Sequence, residues 1–232
     1  IEYENNKMYN KQISIIKLWK HILEVQQESG TPYIMFKDSS NRKSNQNNLG
    51  TIKSSNLCSE VLIYTDKNNI GVCNLCSISL PKFVEYDENN IPFYNYKKLY
   101  DIVRIATKNL NKVIDNNVYP VKEGQYSDSL NRPIAIGVQG LADVFFKFKI
   151  PFTSNKAKEI NKLIAETMYY AALTESNDMA RKLYTTYKNY NTSMSAKGIL
   201  QYDLWNVTPS NLWNWDELKE RIKYFGLYNS LL

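Results

Sequence analysis

The longest amphipathic stripe of the sequence, residues 96–115, most constrains the fold. Apolar residues recur there at intervals of three and four and lysines lie on the opposite side, which predicts a helix with one face buried in a core. A second long helix is predicted over residues 154–183, a shorter one over 14–29 with one face on a core, and a last one over 216–225. The apolar positions of the longest stripe are Leu99, Ile102, Val103, Ala106, Leu110, Val113 and Ile114.

Short apolar runs between these helices predict buried strands. Their alternation with the helices is typical of an α/β fold with largely parallel strand pairing. A turn at residues 66–69 would return the chain and bring Cys73 towards Cys58. The predicted strands are residues 33–36, 60–64, 70–80 and 133–138, and the predicted loops are 37–48, 119–131 and 184–195.

The composition is that of a soluble globular protein. The chain has 232 residues, of which 43% are hydrophobic and 22% are charged, enough for a sizeable core in one or two domains. No apolar run approaches the length of a membrane span, and no cationic leader with an apolar core opens the sequence. An odd number of cysteines, three, without a secretory signal favours a reducing compartment, so a cytoplasmic location without a membrane is expected.

The net charge of +6 raises the question of a polyanionic partner. The lysines are scattered through amphipathic patterns and form neither a block nor an arginine-rich arm. A nucleic-acid-binding protein, which would bind DNA in a steeply salt-dependent way, therefore rests on net charge alone. We expect a solvated basic surface and no nucleic-acid partner.

All three cysteines lie within residues 54–76, and the first of them suggests chemistry. Asn56, Cys58 and Glu60 occupy every second position, so in an extended segment their side chains would share one face. A sulfur that reacts, a carboxylate that moves a proton and an amide that orients a hydroxyl would make a chemical site. The spacing alone is equally compatible with ordinary strand alternation.

Other candidate sites are weaker. Cys73 and Cys76 form a C-x-x-C pair, but a zinc site needs a second ligand pair, and in a strand the two sulfurs face opposite ways, so Cys76 is expected to pack. The single histidine, His21, has no second histidine for a metal site. Gly137 and Gly140 lack the remainder of a phosphate-binding motif and indicate close strand-to-helix packing. No metal or cofactor site is predicted.

A longer pattern resembles a known family. Residues 48–60 (NLGTIKSSNLCSE) followed by 72–75 (VCNL) closely resemble the active-site segment of the large, catalytic subunit of ribonucleotide reductase of the eukaryotic and viral type. Further blocks occur in the family's order and approximate spacing, so the resemblance covers nearly the whole chain. These blocks are residues 30–33 (GTPY), 37–46 (KDSSNRKSNQ), 132–143 (RPIAIGVQGLAD), 197–209 (KGILQYDLWNVTP) and 229–232 (NSLL).

The resemblance implies a fold. The catalytic domain of the family is a ten-stranded α/β barrel with a finger loop that carries the radical cysteine into its centre. Residues 1–232 would be a part of that barrel including the finger. In the family the ATP-cone, the first barrel strands, the specificity loop and one redox cysteine come before the matched segment. The phosphate-binding stretch, the tyrosine pair of the radical path and the mobile cysteine tail come after it.

The resemblance also implies a role for each site residue. Cys58 matches the cysteine that becomes a thiyl radical and takes hydrogen from the 3′ carbon of the ribose. Glu60 matches the base for the 3′-hydroxyl proton, and Asn56 the amide that hydrogen-bonds the ribose hydroxyls and the glutamate. Cys73 matches one of two cysteines that deliver reducing equivalents at the 2′ position and end as a disulfide.

Partners follow from the same resemblance. No cofactor is expected in this piece, because a metal-containing small subunit supplies the radical and thioredoxin or glutaredoxin the electrons. A ribonucleoside diphosphate would be the substrate, ATP and deoxynucleoside triphosphates the allosteric effectors, and the full-length large subunit a homodimer. We expect the 232-residue piece alone not to turn over. The alternative is a non-catalytic large-subunit fragment or paralogue that acts in binding or assembly, against which the intact set of Asn56, Cys58, Glu60 and Cys73 weighs.

Overall fold

The computed structural model describes residues 5–8 and 12–231, and the chain divides into two compact units, Ile1–Phe36 and Lys37–Leu232. The first unit contains helix α1 (Ile15–Ser29), which ends at Gly30. Gly30 has φ 77° and its N–H donates to the carbonyl of Gln26 at 2.9 Å, the left-handed closure that glycine allows. The helix predicted at this place is confirmed.

The burial predicted for the first unit is wrong. No side chain of α1 is buried, and Ile15 and Ile16 are 73% and 76% exposed. Residues 33–36 form no strand, and Phe36 is 78% exposed. Four apolar residues are enough to suggest a buried strand, but so short an apolar run determines neither burial nor strand pairing by itself.

The second unit contains the remaining elements, with short 3₁₀ turns at Leu80–Phe83, Tyr190–Thr192 and Ser195–Lys197. No helix in the described part of the chain is long and apolar enough to cross a membrane. The elements are α2 (Lys37–Lys43), β1 (Leu75–Ser79), β2 (Val84–Tyr86), β3 (Pro92–Tyr94), α3 (Tyr96–Asn116), α4 (Lys122–Asn131), β4 (Ala135–Gln139), α5 (Leu141–Phe148), α6 (Asn155–Leu183), α7 (Gln201–Leu204) and α8 (Trp215–Phe225).

The strands form two small sheets. β1 and β4 pair in parallel, with Leu75 opposite Ala135, whereas β2 and β3 are antiparallel. The α/β class is confirmed, whereas the predicted parallel pairing holds for the β1–β4 sheet only. The described strands do not close into a barrel. The predicted strand at 60–64 is absent, and of residues 70–80 only β1 is a strand.

The core lies between the β1–β4 sheet and helices α3 and α6. Leu99 and Val103 of α3 are fully buried, as the stripe predicts. Ile102 and Val113 belong to the same stripe but stay 41% and 49% exposed, beside β1. The helix therefore buries only part of its apolar face within this chain.

An ion-pair network joins three helices at the edge of this core. Arg104 of α3 lies 2.7 Å from both Glu175 and Asp178 of α6, and Arg221 of α8 lies 2.6 Å from Asp178. The two carboxylates are largely buried, so each needs these partners to offset its lost hydration. The network fixes the three helices relative to one another.

Two predicted loops contain helices. α2 lies within residues 37–48, and α4 lies within 119–131. α4 buries Gly124, Ser127, Asp128 and Asn131, which are small or polar. Because its buried face is not apolar, no apolar period marks it in the sequence.

Candidate active site

A tight turn joins the two arms of the segment that carries Cys58 and Cys73. The N–H of Asp66 donates to the carbonyl of Asn69 at 2.9 Å. The Asp66 carboxylate accepts from the backbone N–H groups of Asn68 at 2.7 Å and Asn69 at 2.9 Å. These hydrogen bonds, that of Asn68 first, lower the pKa of Asp66. The predicted turn is confirmed.

The arms come closest at Gly71. A Cβ atom there would lie 2.8 Å from Cγ2 of Ile63 and 2.9 Å from Oγ1 of Thr65. The N–H of Gly71 donates to the Thr65 hydroxyl at 3.1 Å. Since real Cβ atoms do not approach neighbours this closely, the return of the chain towards Asn56 depends on a residue without a side chain.

A buried glutamine holds the first arm of this segment at Tyr64. Gln46 is 1% exposed. Its Oε1 accepts from the N–H of Tyr64 at 2.8 Å, and its Nε2 donates to Oγ of Ser230 at 2.8 Å. The arm that follows Glu60 is thus tied to a residue far along the chain.

Asn56, Cys58 and Glu60 do not lie on an extended strand, so the predicted alternation is wrong. A turn separates them: the N–H of Ser59 donates to the carbonyl of Asn56 at 3.1 Å, and Ser59 has φ 61°. Oδ1 of Asn56 accepts from the N–H of Val61 at 3.2 Å, which closes the turn. The amide nitrogen of Asn56 is thereby left to donate to the Cys73 sulfur.

The turn places Cys58 at its tip. Cys58 and Glu60 are both exposed, and the neighbouring Leu57 is 93% exposed. The described residues that line the cavity beside Asn56 do not include Cys58. Cys58 is therefore presented outward from this chain.

The chain brings Cys73 back towards Asn56 and Cys58, as predicted. Together with Asn56 it lines a cavity of about 210 Å³, and the Asn56 side chain hydrogen-bonds its sulfur. Although the residue is exposed, partial desolvation of the sulfur is the largest of the effects that raise the Cys73 pKa, followed by the charge of Glu60. Cys58 raises the Cys73 pKa by less than these two effects, whereas the hydrogen bond from Asn56 lowers the Cys73 pKa. The structure thus brings the other three predicted residues within electrostatic reach of Cys73.

Cys76 packs in the core, as predicted. It is half-buried in β1 against a cluster that includes Leu110, Ile114 and Ile134. Burial raises its pKa, so it is held as a thiol. Gly140, predicted to serve close packing, has φ 78°, and a Cβ there would lie 2.7 Å from Pro81. In the described part of the chain no group of three histidine, cysteine or acidic residues is placed to hold a metal ion.

Comparison of the sequence with known proteins decides the family of this chain. A sequence model described as "Ribonucleotide reductase, barrel domain" matches residues 1–232. The chain belongs to this family.

Individual relatives agree. The chain is 50% identical over 230 residues to the ribonucleoside-diphosphate reductase large subunit of variola virus. The aligned segment covers 99% of this chain and 29% of the relative. The chain is 50% identical over 232 residues to the large subunit of Plasmodium falciparum, covering 100% and 28%, and 47% identical over 231 residues to the large chain of Schizosaccharomyces pombe, covering 100% and 28%. The chain thus spans less than a third of the length of these ribonucleotide reductase relatives.

One further group of this ribonucleotide reductase chain, a buried carboxyl group near the site, has no signal in the sequence. Asp128 is 0% exposed, and its Oδ2 accepts from Nδ2 of Asn74 at 2.8 Å and from the Tyr119 hydroxyl at 2.9 Å. Burial raises the pKa of Asp128. Asn74 follows Cys73 directly, so this network lies next to the cysteine. The polar pattern around Asp128 predicts a loop, which hid it.

Proposed function

We propose that this chain is part of the catalytic large subunit of a ribonucleoside-diphosphate reductase. Residues 1–232 would then be one partial domain of a ten-stranded α/β barrel, with the turn at Cys58 as its finger loop. The family membership and the names of the relatives support this. The observation that carries it is the meeting of Asn56 with Cys73, within reach of the charges of Cys58 and Glu60.

The chemistry assigns one role to each residue. The Cys58 thiyl radical takes the hydrogen atom from the 3′ carbon, and Glu60 accepts the 3′-hydroxyl proton. The 2′-hydroxyl leaves as water. Cys73 and a second cysteine supply two electrons and two protons and become a disulfide, after which the Cys58 thiol returns its hydrogen atom to the 3′ carbon. The net change is loss of the 2′ oxygen as water and oxidation of one dithiol.

The electrostatics of Cys73 suit this role. A thiol carries the hydrogen that the reduction consumes, whereas a thiolate does not. Burial and the charge of Glu60 raise the pKa of Cys73, so the protonated form persists at neutral pH. Asn56 is held by the N–H of Val61 through its Oδ1, which leaves its amide nitrogen to donate to a sulfur or a ribose hydroxyl.

The same role requires partners. A metal-containing small subunit would generate the radical, and a dithiol protein of the thioredoxin or glutaredoxin type would reduce the disulfide. ATP and deoxynucleoside triphosphates would act on the longer protein as effectors, and that protein would form a homodimer. We also propose that the 232-residue chain alone does not turn over, because the exposed position of Cys58 does not give a radical the dry surroundings that it needs.

The test is reduction of a ribonucleoside diphosphate by the longest native form of this chain, mixed with its small subunit and a dithiol. Cys58→Ser should abolish product formation, because the hydroxyl O–H bond is too strong to exchange hydrogen with a ribose carbon. Cys76→Ser is the matched control: the same change at a packed cysteine should cost stability but leave the chemistry.

Two outcomes would contradict the proposal. Product formed by Cys58→Ser would remove the radical role from that residue. Absence of product from the wild-type protein, although its complex with the small subunit assembles, would favour a non-catalytic role in binding or assembly. Turnover by the isolated 232-residue chain would refute only its predicted inactivity.

A further inference from the structure

A buried carboxyl group lies behind Cys73 and has no part in the chemistry described above. Asp128 of α4 is 0% exposed, and only its Oδ2 is hydrogen-bonded. Its Oδ1 makes no hydrogen bond in the described part of the chain, and neither does the hydroxyl of the adjacent Ser127. A buried carboxyl group in this state costs folding free energy, which points to a role other than stability.

Asp128 is connected to Cys73 through the backbone. Asn74, the next residue, is 5% exposed, and its Nδ2 donates to Asp128 at 2.8 Å and to the carbonyl of Pro133 at 3.1 Å. The carbonyl of Asn74 accepts from the N–H of Ala135 at 2.9 Å. Both the side chain and the backbone of Asn74 are therefore fixed, and Cys73 has its position set by the residue that follows it.

Asp128 also acts on Cys73 through its charge. The groups that raise the Cys73 pKa after burial are Glu60, Asp128 and Cys58, and the amide of Asn56 lowers it. Of these groups Asp128 is buried, so solvent screens its charge least.

Two residues face Asp128 besides Asn74. Arg132, at the end of α4, lowers the Asp128 pKa and so offsets part of the increase that burial causes. The Arg132 guanidinium is held at 2.8 Å by Asp115 and does not hydrogen-bond Asp128. Tyr119 donates its hydroxyl hydrogen, and its own pKa is raised to about 12, first by burial, so it is a neutral donor wherever thiols titrate.

We propose that Asp128 is a positioning residue for Cys73: through its hydrogen bond to Asn74 it fixes the chain beside the sulfur, and it places a buried carboxylate near the sulfur, where its charge disfavours the thiolate. The proposal rests on the function proposed above, because only the thiol carries the hydrogen that a reductase consumes. Its direct consequence, the protonation of Cys73, is measurable without turnover.

The test is the rate at which iodoacetamide alkylates Cys73 as a function of pH, followed by mass spectrometry of the peptide, in the longest native form of the chain. In Asp128→Asn the amide oxygen can take the place of Oδ2 and still accept from Asn74 and Tyr119, so the fold is kept while the charge is removed. The profile should shift to lower pH, with alkylation at pH 7.5 about threefold faster because the thiolate fraction rises. Asp101→Asn, the same change at an exposed position of α3, should leave the profile unchanged.

An unchanged profile in a folded Asp128→Asn protein would overturn the proposal. If that variant does not fold, Tyr119→Phe supplies the second test: the Tyr119 hydroxyl lowers the Asp128 pKa, so its loss favours the neutral carboxyl, alkylation should become faster, and an equal or slower rate would overturn the proposal. A shifted profile in a protein that makes no deoxynucleotide would refute the proposed function and leave the assignment of Asp128 standing.

Discussion

Gly71 determines whether Cys73 can reach Asn56. Gly71→Ala should lower the free energy of unfolding by about 1–3 kcal/mol, because the added methyl group overlaps Ile63 and Thr65. Urea unfolding measures this. Gly137→Ala is the control, since a Cβ there would come no closer than 3.6 Å to the Cys76 carbonyl and should leave stability unchanged or raise it by up to about 1 kcal/mol. Equal losses in the two variants would show that the arms move apart without cost.

At this scale the sequence predicted the return of the chain towards Asn56 better than the local arrangement around Cys58. The resemblance named Asn56, Cys58, Glu60 and Cys73, and the turn at residues 66–69 was readable from its asparagines and aspartate. The turn at Ser59 was not readable, because that serine has a left-handed backbone that usually belongs to glycine or asparagine. Asp128 stayed hidden because the largely polar residues around it predicted a loop.

Among the elements, helix α6 depends on its N-cap residue, Ser154. The Ser154 hydroxyl accepts from the N–H of Ala157 at 3.1 Å, which satisfies one of the free donors at the helix start. Ser154→Ala should lower the free energy of unfolding by about 1 kcal/mol, measured by urea or thermal unfolding. Ser79→Ala, at the start of a 3₁₀ turn where the side chain makes no cap, should cost less than about 0.5 kcal/mol. A larger loss at Ser79 than at Ser154 would contradict this reading.

The elements that the sequence predicted share a clear apolar period. The ends of α3 and α6 were predicted to within one residue, because the apolar stripe and the capping residue of each helix indicate the same boundaries. α4 was missed for the opposite reason, since its buried face is polar. β2 and β3 have three residues each, too short for any alternation to be recognised.

The whole molecule leaves a sheet edge and an apolar groove open. In the described part of the chain β1 pairs only with β4, and beside it lies a groove of about 660 Å³ whose apolar lining includes Ile102, Ile105 and Val113. The isolated chain should therefore bind the dye ANS and self-associate at micromolar concentration. Sequence could not show this, because apolar positions of a stripe look alike whether they are buried or open.

Substitutions within the groove give the test. Ile105→Lys combined with Val113→Lys should reduce ANS fluorescence without lowering the unfolding midpoint, because these side chains are already 54% and 49% exposed. Val118→Lys, at a position 90% exposed and outside the groove, should not change the fluorescence. Equal dye binding by all three proteins would place the exposed apolar surface elsewhere.

Gln46 has a consequence for the order in which the protein is made. Gln46 joins Tyr64 to Ser230, and Ser230 lies 184 positions beyond Gln46 itself. A ribosome adds about 5–20 residues per second, so roughly ten seconds or more separate the appearance of these two ends. During that interval the arm that leads back to Cys73 lacks its anchor. The cysteines of a nascent chain are thus exposed to oxidants before their surroundings exist, and their protection depends on the reducing state of the compartment in which translation occurs.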